Sequence, residues 1–273
     1  MSPTQAQRAA SFLALHRGPT PLLMPNPWDI GSARLLASLG FQALATTSGG
    51  FAASLGRLDG GVSRDEAIAH GAELAAAVDV PVSADLENCF ADDPDGVAMT
   101  VGLAVQAGLS GCSVEDFTGD MANAIYDRGL AVERVAAAVE AAHRGPVHLV
   151  LSARCENLIR GRDDLDDTIE RLQAYEEAGA DVLFAPGLRS IEAIRRVVAS
   201  VGSPVSVLVR ADSPPVAALA QAGVGRVSVG SSFTWAALGG LVSAAKELLG
   251  EGTYGYSLNA AAGRAATIEA FRS

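Results

Sequence analysis

Three acidic residues on two neighbouring segments have the type and spacing to do chemistry. Asp85 and Glu87 stand two places apart in VPVSADLE (80–87), and Glu115 closes the apolar run within AGLSGCSVEDF (107–117). Alternation along an extended chain puts Asp85 and Glu87 on one face. Carboxylates without histidine or cysteine partners make a hard, oxygen-only donor set, suited to Mg2+ or Mn2+ with water completing an octahedron. Arg154, near the end of GPVHLVLSARCE (145–156), offers a planar fork for a substrate carboxylate or a developing oxyanion. Ser48-Gly49-Gly50 adds a hydroxyl and bare backbone N–H groups ahead of a helical segment, a cradle for an anion. Each feature also has a plainer reading, since acids cap helices or pair with arginine and Gly-Gly turns after strands are common. Three acids converging on one rim argue against that plainer reading.

Other chemistries lack their residues. Of the 20 basic residues only Lys246 is lysine, and it falls in a helical segment beyond the last strand, so no strand carries a Schiff-base lysine. His16, His70 and His143 fall on helical segments and His148 at the entrance to a strand, which leaves neither a zinc set nor a Ser–His–Asp arrangement at the rim. What remains is electrophilic catalysis, in which a divalent cation and Arg154 stabilise an enolate.

The elements that must position these residues recur along the chain. One kind of strand entry is Pro followed by apolar or β-branched residues, at 20–26, 80–87, 145–156 and 203–212; the other is a Gly closing an Ala/Leu-rich segment, at 39–50, 107–117, 178–187 and 222–232. Gly suits the position just past a helix, and Pro at a strand's first residue loses no ladder bond. Interleaved, they predict eight strands. Segments such as DEAIAHGAELAAAV and DDTIERLQAYEEAG carry helical apolar spacing with acids near the start. Eight strands alternating with helices predict an α/β protein, a (β/α)8 TIM barrel over residues 1–273 as one domain, with 233–273 as a helical tail. In that fold chemistry sits on the loops after the strands, where the unusual polar residues fall. A formal charge of −11 excludes a nucleic-acid surface or a polybasic membrane patch, and no apolar run spans a bilayer. Three cysteines without a CxxC give no disulfide framework, and the cytoplasm is the expected compartment.

An ordered set of runs resembles the isocitrate lyase/phosphoenolpyruvate mutase superfamily: PNPWDIGSARLLASLGFQALATTSGGFAASLGRLDG, SADLEN, GLSGCSVEDFTG, SARCENLIRG and DDTIERLQAYEEAGADVLFAPG. The likeness is greatest to its phosphonomutase-like and isocitrate lyase-like branch. It implies Asp85 as the principal Mg2+ ligand, with Glu87 and Glu115 holding metal-bound water. It also implies that Ser48 and the backbone of Gly49 and Gly50 bind the carboxylate of a 2-oxo or 2-hydroxy acid. Arg154 would steady the oxyanion, and Asp59 matches an active-site aspartate. Such proteins make or break a C–C or C–P bond beside an enolate, commonly as tetramers whose last helix packs on a neighbouring subunit. A homo-oligomer, dimer or tetramer, is therefore expected.

Two departures shape the expectation. After the strand ending at Glu115 the loop reads DFTGDMANAIYDRGLAVERV, without the Cys of the lyases or the Lys of the mutases. Asn123 supplies the asparagine of that loop and is assigned to substrate binding. Where relatives carry a Gly-rich turn after the first pair of acids, this chain has Asn88-Cys89-Phe90. Cys89 is the cysteine placed nearest the acids, and among carboxylates its thiol would hold its proton, a donor rather than a nucleophile. The expected activity is Mg2+-dependent cleavage of a C–C bond in a small 2-oxo or 2-hydroxy carboxylic acid. C–P chemistry and a metabolite-binding barrel without turnover are the alternatives.

Overall fold

The computed structural model describes residues 2–272. Its strands are β1 (Leu22–Met24), β2 (Leu44–Ala45), β3 (Val82–Asp85), β4 (Gly111–Glu115), β5 (Val150–Arg154), β6 (Val182–Phe184), β7 (Val205–Leu208) and β8 (Arg226–Ser228). All pairs are parallel, in the order β1-β8-β7-β6-β5-β4-β3-β2. Across the seam between β1 and β2, the Ala45 N–H donates to the Pro25 carbonyl at 3.1 Å and Asn26 Nδ2 to the Thr46 carbonyl at 2.9 Å. The result is a nearly closed (β/α)8 barrel, as the eightfold punctuation predicts.

Local chemistry sets the helix ends. Asp29 and Ser63 form capping boxes ahead of α2 (Ile30–Ser38) and α4 (Arg64–Ala77). Asp93 caps α5 (Pro94–Gln106) with Pro at the first position, and Asp164 caps α7 (Leu165–Glu177). Gly108 and Gly179 follow α5 and α7 with φ of 81° and 99°, a conformation that a side chain would penalise. The main apolar core lies between the strands and these helices, with Leu74, Val101, Leu109, Leu151, Leu172 and Leu183 all buried. The first helix, α1 (Gln5–Leu15), plugs the N-terminal end of the barrel: Phe12 is fully buried in a second cluster with Leu22, Val150 and Val182.

The barrel interior departs from the bulky packing usual in this fold. Ser83, Ser113, Ser152, Ser206 and Ser228 occupy one position each in β3, β4, β5, β7 and β8, and all five are buried. Small hydroxyl side chains there leave room that Val, Ile or Leu would fill. Beyond the barrel, the tail forms α10 (Ser232–Gly250) and α11 (Ser257–Arg272). α11 packs back on α2, whereas on α10 only Thr234 is buried.

Candidate active site

A cavity of about 450 Å³ opens at the C-terminal end of the strands. Pairing register assembles its wall: Asp85 lies beside Ser113, and Glu115 beside Arg154. Each charged residue stands two places after an interior serine, so alternation brings it to the mouth above that serine. Arg154 is the hub. Its Nη1 lies 3.1 Å from Asp85 Oδ1 and 2.8 Å from Glu115 Oε1, and its Nη2 lies 2.9 Å from Glu156 Oε1. Burial opposes its charge, but Glu115, Glu156 and Asp85 outweigh burial and hold the guanidinium above its ordinary range. Arg160, in the turn after β5, adds contacts to Glu156 Oε2 at 3.3 Å and Glu115 Oε2 at 3.8 Å, and lies 3.6 Å over the Phe117 ring. Burial pushes the Glu115 carboxyl up, against the pull of Arg154.

Glu87 reaches the same cavity by a different route from the one alternation predicts. β3 ends at Asp85, Leu86 turns into the core, and Glu87 takes a left-handed φ of 51°. Cys89 and Phe90 are left-handed as well, at 60° and 56°. A run of side-chain-bearing residues in this region is costly, and the surroundings hold it. Arg134, fully buried on α6 (Arg128–His143), donates to the carbonyls of Asn88, Ala91 and Asp92, while the Phe90 N–H donates to Asn88 Oδ1 at 3.0 Å. Glu87 takes part in no ion pair among the described residues. Burial, then Asp85 and Asp59, raise its carboxyl to about 7.

The Ser48–Gly50 cradle becomes the first turn of α3 (Ser48–Ser54). Its N–H groups divide: Ser48 donates to Asp85 Oδ2 at 3.2 Å and Gly50 to the capping Thr47 Oγ1 at 3.3 Å, which leaves Gly49 without a partner among the described residues. A Cβ on Gly49 would lie 3.0 Å from Ser231 Oγ and 3.3 Å from Asp59 Cγ, so its backbone faces both residues closely. Gly50 is demanded by packing, since its Cβ would meet Thr234 Oγ1 and Thr47 Cγ2 at 2.5 Å. Asp59 lines the cavity beside Gly49.

Two assigned residues do not reach the cavity. Cys89 is fully buried in the main core with Val97, Val101 and Cys112, and burial pushes its thiol up to about 12. The left-handed turn that delivers Glu87 to the mouth carries Cys89 inward, which corrects its assignment as a catalytic group. Asn123 is exposed on a short turn (Met121–Asn123) within a loop that folds back on itself through a Phe117–Ile125 bridge. No residue of that loop from 117 to 127 lines the cavity, which corrects the substrate-binding assignment of Asn123. Conversely, Glu156, Arg160, Arg210 and Arg226 line the cavity and were not singled out by the sequence. Arg226 is held by partners distant in sequence, whereas Glu156 is held by Arg154 and Arg160 close by, and the serine in five of the eight strands was a readable sign of a hollow barrel.

The mouth offers oxygen donors only. Asp85, Glu87 and Glu115 do not bring one oxygen each within 4.8 Å of the others; among the described residues only His143, His148 and Asp181 meet that test. That trio sits at the opposite end, ahead of β5 and β6. Both histidine Nε2 atoms are engaged by Asp181, at 2.9 and 2.8 Å, and the rings stack 16° from parallel, so they do not aim at one point. The wider carboxylate spacing at the mouth fits a hard cation that keeps several waters, and Glu87, without a cationic partner, is a donor free to serve one.

Known proteins share this architecture. A Burkholderia cenocepacia J2315 structure designated no further than lyase/mutase is 50% identical, with a TM-score of 0.90 over 93% of this chain and 92% of that one. The 2,3-dimethylmalate lyase structure, described as a PEP mutase/isocitrate lyase superfamily member, is 27% identical, with a TM-score of 0.81 over 91% of this chain and 89% of its own. The 2-methylisocitrate lyase of Escherichia coli K12 is 31% identical over 75% of this chain and 69% of its own. The phosphoenolpyruvate phosphomutase family model matches residues 12–249. With that match spanning most of its length, the chain belongs to the phosphoenolpyruvate phosphomutase family, within the isocitrate lyase/PEP mutase superfamily.

Proposed function

We propose that the protein is a divalent-metal-dependent lyase or hydrolase that cleaves a C–C bond in a small 2-oxo or 2-hydroxy carboxylic acid. The observation that carries this reading is the convergence of Asp85, Glu115 and Arg154 on adjacent strands, beside the first turn of α3, whose Ser48 N–H donates to Asp85 Oδ2. The substrate carboxylate takes the Gly49 N–H and the Ser48 hydroxyl, neither of which has a hydrogen-bond partner among the described residues. Asp85 would hold Mg2+ or Mn2+, with Glu87 and Glu115 acting through its waters. The ion would supply polarisation of the substrate's 2-oxygen. Arg154, oriented from three sides by carboxylates, donates to the enolate oxygen as the bond breaks, with little reorganisation because its fork is already fixed.

The reading is tested by an NMR screen of 2-oxo, 2-hydroxy and phosphono acids with Mg2+, run beside Asp85→Ala. Turnover that needs the metal and disappears in the variant is expected; equal turnover in the variant removes the metal assignment. A barrel that binds without turnover is the second reading, favoured by a loop after β4 that brings no acid or base to the cavity. C–P cleavage would appear in the same screen as inorganic phosphate by 31P NMR.

A second copy of the chain is proposed as partner. α10 exposes Leu241 (64%), Val242 (50%) and Leu249 (87%), an apolar face that a neighbouring subunit would cover. Among the described residues no helix is long and apolar enough to cross a membrane.

A further inference from the structure

Charge is distributed unevenly around the cavity. Its carboxylates (Asp59, Asp85, Glu87, Glu115 and Glu156) all come from the β2–β5 side, where Arg154 and Arg160 are bound among them. The other two guanidiniums, Arg226 on β8 and Arg210 after β7, come from the opposite side. Neither has a carboxylate within 4.0 Å among the described residues.

Arg226 is the less ordinary of the two. It is 3% exposed, in the floor of the cavity, and its side chain reaches across the barrel axis. Nε donates to Ser206 Oγ at 2.8 Å, Nη2 to Ser152 Oγ at 2.9 Å, and Nη1 lies 3.5 Å from His16 Nε2. All three partners are neutral. His16 Nδ1 lies 2.7 Å from the Phe12 carbonyl and must donate to it, which leaves Nε2 as the acceptor facing Arg226. Each terminal nitrogen of Arg226 keeps a further N–H. Its guanidinium carbon lies 5.5 Å from the centre of the Phe184 ring, and that of Arg154 lies 5.0 Å from the same centre. The floor cation thus stands one aromatic ring away from the hub of the mouth. Burial and Arg154 pull Arg226 down to about 9, which leaves it charged at neutral pH. A cation held out of water with neutral partners alone is unfavourable unless an anion arrives to meet it.

We infer that Arg226, with Arg210 at the rim, is the specificity-determining wall of the site and receives a second anionic group of the substrate, distal to the carboxylate held at Gly49. This inference rests on the proposed function, because it takes the Gly49 end as the place of the first carboxylate. The serine stripe provides the hollow through which the distal group reaches the floor. Arg210 is exposed and its guanidinium has no partner among the described residues, so it meets the same group, or a longer one, at the entrance.

Lactate and malate differ by one carboxylate on an otherwise matched 2-hydroxy acid, and calorimetric titration of both in the presence of Mg2+ reads the subsite directly. The wild-type protein is expected to bind malate at least tenfold more tightly than lactate. Arg226→Gln should remove that preference while lactate affinity stays within twofold, and Arg226→Lys, which keeps the charge but not the fork, should restore part of it. Arg210→Ala, at an exposed position, tests the wall without touching the core and should weaken malate by a smaller factor. A purely structural Arg226 would change melting temperature, or both affinities alike, and leave their ratio unmoved. The pair 3-phosphonopyruvate and pyruvate, titrated in parallel, tells a phosphonate from a carboxylate as the second anion. Lactate bound as well as malate overturns the inference alone; binding of none of the four acids removes it together with the reading of the site on which it rests.

Discussion

At the C-terminal end of the barrel, carboxylates line one side of an open cavity and outnumber the guanidiniums that line it with them; at the N-terminal end one carboxylate, Asp181, is saturated. His143, His148 and the Leu151 N–H all donate to Asp181, between 2.8 and 2.9 Å. The same kind of residue is thus left electrostatically unfinished at one end and completed at the other. A completed network stabilises a fold, whereas an unfinished one is poised to take up a ligand. The mouth should therefore report on chemistry and the opposite end on stability.

The largest test of that contrast is Asp85→Ala. Loss of metal-dependent turnover beyond about a thousandfold is expected, with a melting temperature near that of the wild type, because Asp85 is half-buried and Arg154 keeps two other carboxylates. Steady-state kinetics with thermal denaturation checks both halves. Arg154→Lys should break the contrast in a defined way, losing activity and stability together. A lysine cannot serve Asp85, Glu115 and Glu156 with one fork, so a cost on the order of 3 kcal/mol is expected in urea unfolding.

Asp181→Asn gives the reverse pattern, a loss of about 1–3 kcal/mol with turnover within twofold. pH sharpens the comparison further. Burial, and then Arg226, hold His16 at the plugged end down to about 3 from an ordinary 6.5. Between those values the folded protein keeps His16 neutral while the unfolded chain takes up a proton. Stability should therefore fall as pH drops below about 6.5, and His16→Gln should flatten that part of the unfolding profile. The smallest effect is expected from Cys89→Ala, about 1 kcal/mol of stability and unchanged turnover, because its thiol sits in the core. A large loss of activity there would return Cys89 to the site.

Much of the mouth was legible because β-strand alternation is a local rule. Asp85, Glu115 and Arg154 each fall where an inward-facing position meets a strand's end, and strand pairing then places them side by side. Glu87 was placed at the right rim by the wrong geometry. The alternation argument needed two more strand residues, and the chain instead makes a left-handed turn clamped by Arg134 from α6. That clamp lies more than forty residues away in sequence, so the fate of Cys89 could not be read from its neighbours. Arg226 escaped notice for a related reason. At a strand's first position it reads as a residue near water, and only barrel closure turns it inward onto Ser206 and Ser152.

By itself the sequence determined the repeat of strands and helices, the ends at which its Gly, Pro and capping residues stop each element, and the hard-oxygen character of the mouth. These depend on neighbours within a few places along the chain. Which carboxylates are bound by arginine, that Cys89 is buried in the core and where a guanidinium is left without an anion were decided by tertiary structure alone. Electrostatic completion depends on distance in space, and barrel closure brings together side chains up to 210 positions apart, as it does His16 and Arg226.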